Sequence, residues 1–372
     1  MKYDIIIIGA GPGGALAAYH AVKKGVKVLV IDKKSEIGKP VRCGEAIIST
    51  LLDEYQIKPN SRWISNHIST IRAISSKGRT IQFKTITKGY ILDRTNFEKM
   101  LISRAEDQGA NVMLRTTVTG LSKKGIEVYE ADSKNRSSIN GRIIIGADGV
   151  ESRIGRWAGI NTTLELKDIG VCAQYQLRNV DLDTDTVELY WGEKYSPGGY
   201  AWAFPKNDDL SNVGVILPGH FNYTAQKVLD KFVKLRAPKS KVVNSIVGCV
   251  PETIPPKSLV SNNVILVGDA ARVSIPVTGG GIGNAMFTGR AAGELAGKIV
   301  KNNMDLEELS KYNDQVHANI SKRIKRAYKL KQRFIKCENN IERVFIFLKL
   351  FAWLHKLAPG FMEKHGFKNL RY

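Results

Sequence analysis

The chain has 372 residues, 43% of them hydrophobic, with 56 Lys and Arg against 35 Asp and Glu and a net charge of +21. That length buries a large core and provides for two or more structural units. Four scattered cysteines (Cys43, Cys172, Cys249, Cys337) with no C-x-x-C pair, and six histidines without ligand spacing, exclude a disulfide framework and a recognisable metal site and suit a reducing cytoplasm. No apolar run reaches the length of a transmembrane helix, and residues 5–8 are too short for a signal peptide.

Residues 5–8 form a continuous apolar run, read as a strand buried on both faces. Gly9, Gly11 and Gly14 follow with G-x-G-x-x-G spacing, and Gly13 lies inside the same turn. A helix is expected over 15–24 and a second strand over 25–31, ending at Asp32. This is a dinucleotide site. Gly9 permits the tight turn, Gly11 lets backbone approach a pyrophosphate, and Gly14 lets helix pack on strand. The helix N-terminus meets the anion, and Asp32 stands where a carboxylate reaches ribose hydroxyls.

A loop is expected over 33–45, then a helix over 47–55. Cys43, between Arg42 and Gly44, is either a thiol activated by that helix or a small buried residue. Hairpin alternation runs over 68–83 with a turn at Lys77-Gly78. A short strand ends at Arg94, and Asp93 or Thr95 caps a helix reaching about Gln108. Further strands are expected at 109–114 and 142–146, with a hairpin over 116–129. Gly146-Ala147-Asp148-Gly149 then opens a helix.

From 169 to 217 strands spaced as in an antiparallel sheet are expected at 171–177, 186–191, 199–204 and 212–216. Tyr200, Trp202 and Phe204 alternate onto one strand face, which is either a sheet's aromatic core or the wall of an apolar tunnel. A helix is expected over 223–235 and a third parallel strand over 260–268, ending in Gly268-Asp269. Gly279, Gly280 and Gly281 open a helix starting at Ile282. Residues 307–334 read as one basic helix. From 320 to 372 there are fourteen Lys and Arg against three Glu, so about half the net charge sits there and seeks an anionic partner. Residues 341–357 are apolar except for Glu342, Lys349 and Lys356, and read either as an interfacial helix or as a lid.

The three strand-end signatures, with Arg94 heading its helix, resemble the flavoprotein hydroxylase (p-hydroxybenzoate hydroxylase type) fold. The resemblance implies an α/β Rossmann-like FAD-binding domain (1–65, 90–165 and 258–304), an antiparallel-sheet, α+β substrate domain (66–89 and 166–257), and a basic C-terminal helical segment (305–372). The stretch 197–205, P-G-G-Y-A-W-A-F-P, resembles the P-x-x-Y-x-W-x-F-P signature of the geranylgeranyl reductase family, whose archaeal members saturate the isoprenoid chains of membrane lipids. Residues 41–45 and 269–281 are similar to that family too.

The resemblance implies FAD contacts at Ala15, Asp32, Arg42, Cys43, Gly44, Ala46, Arg94, Val118, Asp269, Gly280, Gly281 and Ile282, beside Gly9, Gly11, Gly13 and Gly14. Asp269 would hold the ribityl chain, and 279–283 would lie beside the flavin ring. Tyr200, Trp202 and Phe204 would face the prenyl chain. An isolated alkene needs a proton as well as a hydride; reduced FAD is expected to supply the hydride, with Cys43 as candidate proton donor and Glu45 orienting it. The implied substrate is a prenyl phospholipid or prenyl diphosphate, the electron donor ferredoxin or NAD(P)H, and the location cytoplasmic at an anionic membrane surface. An aromatic monooxygenase of the same fold is the alternative enzyme. A non-catalytic electron-transfer flavoprotein leaves the aromatic motif unused, and no nucleic-acid-binding motif accompanies the basic tail.

Overall fold

The computed structural model describes residues 2–122, 124–336 and 342–346. In chain order the strands are β1 (Lys2–Ile8), β2 (Val28–Ile31), β3 (Ala46–Ile48), β4 (Ile64–Ser75), β5 (Thr80–Leu92), β6 (Asn111–Met113), β7 (Thr116–Ser122), β8 (Gly125–Glu130), β9 (Asn135–Gly146), β10 (Ile169–Arg178), β11 (Thr186–Gly192), β12 (Ser196–Pro205), β13 (Leu210–Pro218), β14 (Lys241–Pro251), β15 (Val260–Ser261) and β16 (Val264–Leu266). The helices are α1 (Pro12–Val22), α2 (Ser49–Glu54), α3 (Arg94–Glu106), α4 (Arg153–Trp157), α5 (Ala225–Arg236), α6 (Ile282–Lys301), α7 (Lys311–Val316) and α8 (Lys322–Lys336).

The strands build two sheets. The first runs β15-β16-β9-β1-β2-β6, parallel from β16 to β6, and the hairpin β7–β8 joins through β9. Ile5, Ile6 and Ile7 of β1 are fully buried in a core shared with α1, α6 and residues of the β7–β8 hairpin such as Ile126 and Val128. Each such side chain contributes about 1.5–3 kcal/mol. Helix α6 crosses α1 on glycines spaced by four: a Cβ at Gly289 or Gly293 would fall 2.0 Å from Gly13 O or 2.3 Å from Ala17 O. Small residues there let the two backbones touch, which locks α1 and the nucleotide turn onto the sheet.

The second sheet runs β14-β10-β13-β12-β11-β4-β5-β3, antiparallel except for the β11–β4 pair. Ala201, Ala203, Val213 and Val215 point one way, onto Leu229 and Phe232 of α5. Period-two alternation therefore sends Tyr200, Trp202 and Phe204 to the opposite face, where the loop carrying Gly44 packs against them.

Several expectations change. Residues 46–48 are a strand, not the start of a helix, because Ala46, Ile47 and Ile48 pair with Ile91, Tyr90 and Gly89 of β5. The second sheet thus takes in β3 and the whole of 64–92, beyond the 66–89 expected. The run 260–268 splits at Asn262, which takes φ +50°, so β15 is antiparallel to β16. Strand β14 carries no clean alternation and was not foreseen. The basic stretch from 307 is interrupted by a wide π-type turn at His317–Ser321, where the His317 ring bridges Ser321 Oγ (2.7 Å) and Lys257 O (2.9 Å).

Candidate active site

The dinucleotide turn forms as its glycines require. Gly9 adopts φ +106°, and a Cβ there would lie 2.2 Å from Ala147 O. A Cβ on Gly14 would lie 1.8 Å from Gly9 O, whereas at Gly11 nothing stands within 4 Å. That open space above the α1 N-terminus fits a pyrophosphate, since the first amides of a helix lack internal acceptors. Asp32 ends β2 and is 7% exposed; its carboxylate accepts from Ala10 N (2.8 Å) and Lys34 N (2.9 Å). Those bonds hold it beside the turn with lone pairs to spare for hydroxyl donors. Thr116 N donates to Asp32 O (3.1 Å), which ties the strand carrying buried Val118 to the end of β2. Ala15 and Gly13 are buried within α1, while Ala46 is exposed on β3.

The 42–45 loop lies where the two sheets meet. Glu45 is fully buried at φ +72°. Its carboxylate accepts from Lys206 Nζ (2.6 Å), Asn212 Nδ2 (2.6 Å) and Arg94 N (3.0 Å). One side chain thus joins β12, β13 and the head of α3. The Cys43 Sγ accepts from the Glu45 backbone N–H (3.2 Å). Glu45 therefore bears on Cys43 through its backbone N–H, and its carboxylate is occupied by three other donors. The other carbonyls of the loop are held from the second sheet: Gln174 Nε2 donates to Cys43 O (3.2 Å) and Asn212 Nδ2 to Gly44 O (3.3 Å). Gln174 Oε1 in turn accepts from the Trp202 indole (3.1 Å). A Cβ on Gly44 would sit 2.9 Å from the Phe204 ring, so glycine allows loop and aromatic strand to touch.

Arg94, Cys43 and Asp269 converge. Arg94 pairs with Glu98 one turn along α3. Burial works against its charge, yet Glu98 and the neighbouring Cys43 sulfur raise its pKa above the ordinary arginine value. Burial also pushes the Asp269 carboxyl above its usual range, with the Arg94 guanidinium pulling the other way. Asp269 Oδ1 lies 3.3 Å from where a Gly281 Cβ would stand, at the N-terminus of the twenty-residue α6. A carboxylate, a guanidinium and a helix N-terminus facing one recess suit the hydroxyls and the electron-rich ring edge of a flavin. Gly281 stands beside Asp269, with Gly280 and Ile282 on either side of it in the chain, and exposed Arg42 packs beside Gly248 of β14.

The segment between Asp269 and α6 is strained. Arg272 takes φ +56° and Val277 φ +88°, the latter an outlier for a β-branched residue. It is pinned by the Tyr200 hydroxyl, which donates to Thr278 O (2.5 Å). Burial raises the Tyr200 phenol, so it stays protonated as a donor. The same tyrosine lines a cavity of about 90 Å³, partly open to solvent, with Trp191, Ile216, Phe221 and Val277. Tyr200, Trp202 and Phe204 stack as a ladder with centroids 5.8 and 6.3 Å apart. Trp202 is 6% exposed and covers Gly214, so it supports the site from behind; Tyr200 is the member of the ladder that lines the cavity.

A buried ion pair also borders this cavity. Lys331 of α8 reaches Glu252 Oε2 at 2.9 Å, with only 5% and 6% of the side chains exposed. Glu342, expected on a polar outer stripe, is instead buried and pairs with Arg79 at the β4–β5 turn. Phe345 lies 6.2 Å from the Trp191 ring. The described part of the 341–357 stretch therefore covers the cavity wall; Lys349 and Lys356 lie outside the described residues. Glu45's partners, Gln174 and the Lys331–Glu252 pair had no sequence signal, because nothing local marks which distant donor meets which acceptor.

Residues 168–250 match the family described as geranylgeranyl reductase catalytic domain, and residues 7–58 match an NAD(P)-binding Rossmann-like domain. The chain is 37% identical to the digeranylgeranylglycerophospholipid reductase of Methanocella arvoryzae over 92% of this chain and 90% of that protein. It is also 37% identical to that of Methanosphaerula palustris, over 98% and 92%. A crystal structure of a geranylgeranyl bacteriochlorophyll reductase-like protein from Thermoplasma acidophilum superposes with TM-score 0.89 at 29% identity, covering 98% of each chain. A flavin-dependent brominase shares the fold at TM-score 0.74 and 18% identity, covering 95% of this chain and 91% of its own. The architecture is that of the flavin-dependent oxidoreductases, and the chain belongs to the geranylgeranyl reductase family, among the digeranylgeranylglycerophospholipid reductases.

Proposed function

We propose that the protein is an FAD-dependent reductase that saturates the C=C bonds of geranylgeranyl chains in prenyl phospholipids. The observation that carries this reading is the aromatic cavity reaching Tyr200, whose hydroxyl is bonded to the loop beside Gly279–Gly281. Reduced FAD, when bound, supplies hydride. The dinucleotide half would be held by the Gly9–Gly14 turn and Asp32, the ribityl chain by Asp269, and the ring by the Gly44 and Gly280–Gly281 backbones. Trp191, Tyr200 and Phe221 exclude water from the alkene, which protects charge that develops as it is protonated. Cys43 holds the candidate proton at Sγ, with the Glu45 N–H and Arg94 fixing the sulfur's place. Ferredoxin and NAD(P)H both serve the reading as electron donors, and the basic surface favours an acidic protein.

The test is anaerobic. Chemically reduced protein mixed with an unsaturated archaeal-type phospholipid is expected to reoxidise its flavin while the lipid gains two hydrogens per double bond. Cys43→Ala is expected to slow that single turnover by ~10²–10⁴-fold, the range for loss of a general acid. Reoxidation that requires oxygen, with the lipid unchanged, would instead point to an aromatic monooxygenase.

We infer further that the protein works at an anionic membrane surface. Lys322, Lys325, Arg326 and Lys329 are exposed on α8, which carries no acidic residue. Leu166, 65% exposed, adjoins the Lys167 carbonyl that α8 contacts through Lys331; Leu330, next to Lys331, and Ile254, two residues from its partner Glu252, are exposed as well. No helix of the described residues is long and apolar enough to cross a bilayer. Reversing those four charges to Glu is expected to abolish binding to anionic liposomes, since each basic residue contributes about 1 kcal/mol at such a surface. Unchanged cosedimentation would remove α8 from membrane docking.

A further inference from the structure

We propose that a second recess, lined by Lys194, Lys227 and Lys231, holds the phosphate of the prenyl substrate while its chain occupies the aromatic cavity. This rests on the prenyl-lipid reading above. The two recesses adjoin: both are bordered by Glu193, and they lie on either side of the Pro197-Gly198 and Phe221-Asn222 steps. Gly198 lies at the border between them. It takes φ +68°, and a Cβ there would stand 2.5 Å from the Phe221 ring, so glycine lets Phe221 pack directly on β12 at that border.

The two recesses differ in charge. The cavity is walled largely by Trp191, Tyr200, Ile216 and Phe221, and its Lys331 and Glu252 neutralise each other. The neighbouring recess gathers three ammonium groups against the single carboxylate of Glu193, with Asn222 and Thr224 on its rim. Lys227 and Lys231 stand one helical turn apart on the exposed face of α5, where like charges repel. Lys194 comes from the turn after β11, with its Nζ 5.5 Å from the Tyr195 ring centroid. Among the described residues none of the three makes an ion pair, whereas the buried Lys331 beside the cavity is already held by Glu252. Three unpaired cations beside an apolar slot match an amphiphile with a phosphorylated head, and phosphate oxygens would relieve their repulsion with charge-assisted hydrogen bonds. The shared ligand chemistry is a phosphate ester, either the diphosphate of a free prenyl chain or the phosphodiester of a glycerolipid.

The holoprotein with Lys227→Gln and Lys231→Gln, and separately with Lys194→Gln, would be assayed anaerobically with reduced flavin on geranylgeranyl diphosphate, an unsaturated prenyl phosphodiester lipid and neutral geranylgeraniol. KM for a phosphorylated substrate is expected to rise about fivefold for each lysine removed, as for loss of a solvent-exposed charge pair worth ~1 kcal/mol. Its kcat and the KM for geranylgeraniol should stay as in the parent, and the salt dependence of KM should flatten. Whichever phosphorylated substrate responds identifies the source of the phosphate. Equal KM values in variant and parent for both phosphorylated substrates, or a matching loss on geranylgeraniol, would overturn the recess. Calorimetric binding of the diphosphate and the phosphodiester to the oxidised holoprotein is read in parallel. Failure of the parent to reduce any of the three substrates counts against the reductase reading, while lysine-dependent binding still decides the recess.

Discussion

Glu45→Ala is expected to destabilise the protein by about 3–5 kcal/mol, the range for removing one partner of a buried ion pair. The carboxylate is fully buried, and its loss leaves Lys206, only 13% exposed, without its counter-ion. It also strips an acceptor from the buried Asn212 amide and from the Arg94 backbone N–H. In thermal unfolding that corresponds to a fall of roughly 6–10 °C at ~2 °C per kcal/mol. Activity should fall further than stability, because the same three bonds hold the Cys43-Gly44 turn between the two sheets. Glu45→Gly separates backbone from side chain. It relieves the left-handed φ of +72° yet still lacks the carboxylate. If the carboxylate is what matters, Glu45→Gly melts nearly as low as Glu45→Ala; if backbone strain dominates, it melts above the parent.

Gly14→Ala is expected to give protein that folds poorly and carries no flavin. The added Cβ would stand 1.8 Å from Gly9 O, backbone that has no other place to go, so α1 must leave β1. A clash of that kind belongs with the overpacking and strain that cost more than ~4 kcal/mol. Gly11→Ala is the informative contrast. Nothing stands within 4 Å of its Cβ, so the apoprotein should melt within about 1 kcal/mol of the parent. The methyl group nevertheless enters the space assigned to the pyrophosphate, so bound flavin, read from its visible absorbance, should be lost. Retention of flavin by Gly11→Ala would move the dinucleotide away from this turn.

Legibility followed the range of the forces involved. The Gly9–Gly14 turn, Asp32 at a strand end, and the Tyr200-Trp202-Phe204 alternation are each written within a dozen or so residues of chain, in the periods of strand and helix. They were readable for that reason. The helix expected at 47–55 failed at its first residues because Ala46–Ile48 is claimed by β5, more than forty residues away, and tertiary pairing overrides a weak local preference. Strand β14 carries no legible period because its apolar residues come in adjacent pairs, Val242-Val243 and Ile246-Val247, although its burial alternates from Ile246 onward. The glycines at 289, 293 and 297 carry a signal of their own: spacing by four on a helix marks a face for close backbone contact, and α1 occupies it.

By itself the sequence determined the dinucleotide turn, the order of sheet-forming segments, the family signature and the concentration of positive charge toward the C-terminus. All of these are local patterns or sums, which need no knowledge of what lies across the molecule. Only the tertiary structure decided that Glu45 answers to Lys206 and Asn212, 161 and 167 residues along the chain, and that Lys331 of the tail is buried on Glu252. It alone set an aromatic cavity beside three unpaired lysines. Burial and charge pairing depend on which surfaces the fold brings together. An isolated Glu or Lys in a sequence reads as solvated until a partner and the exclusion of water give it a role.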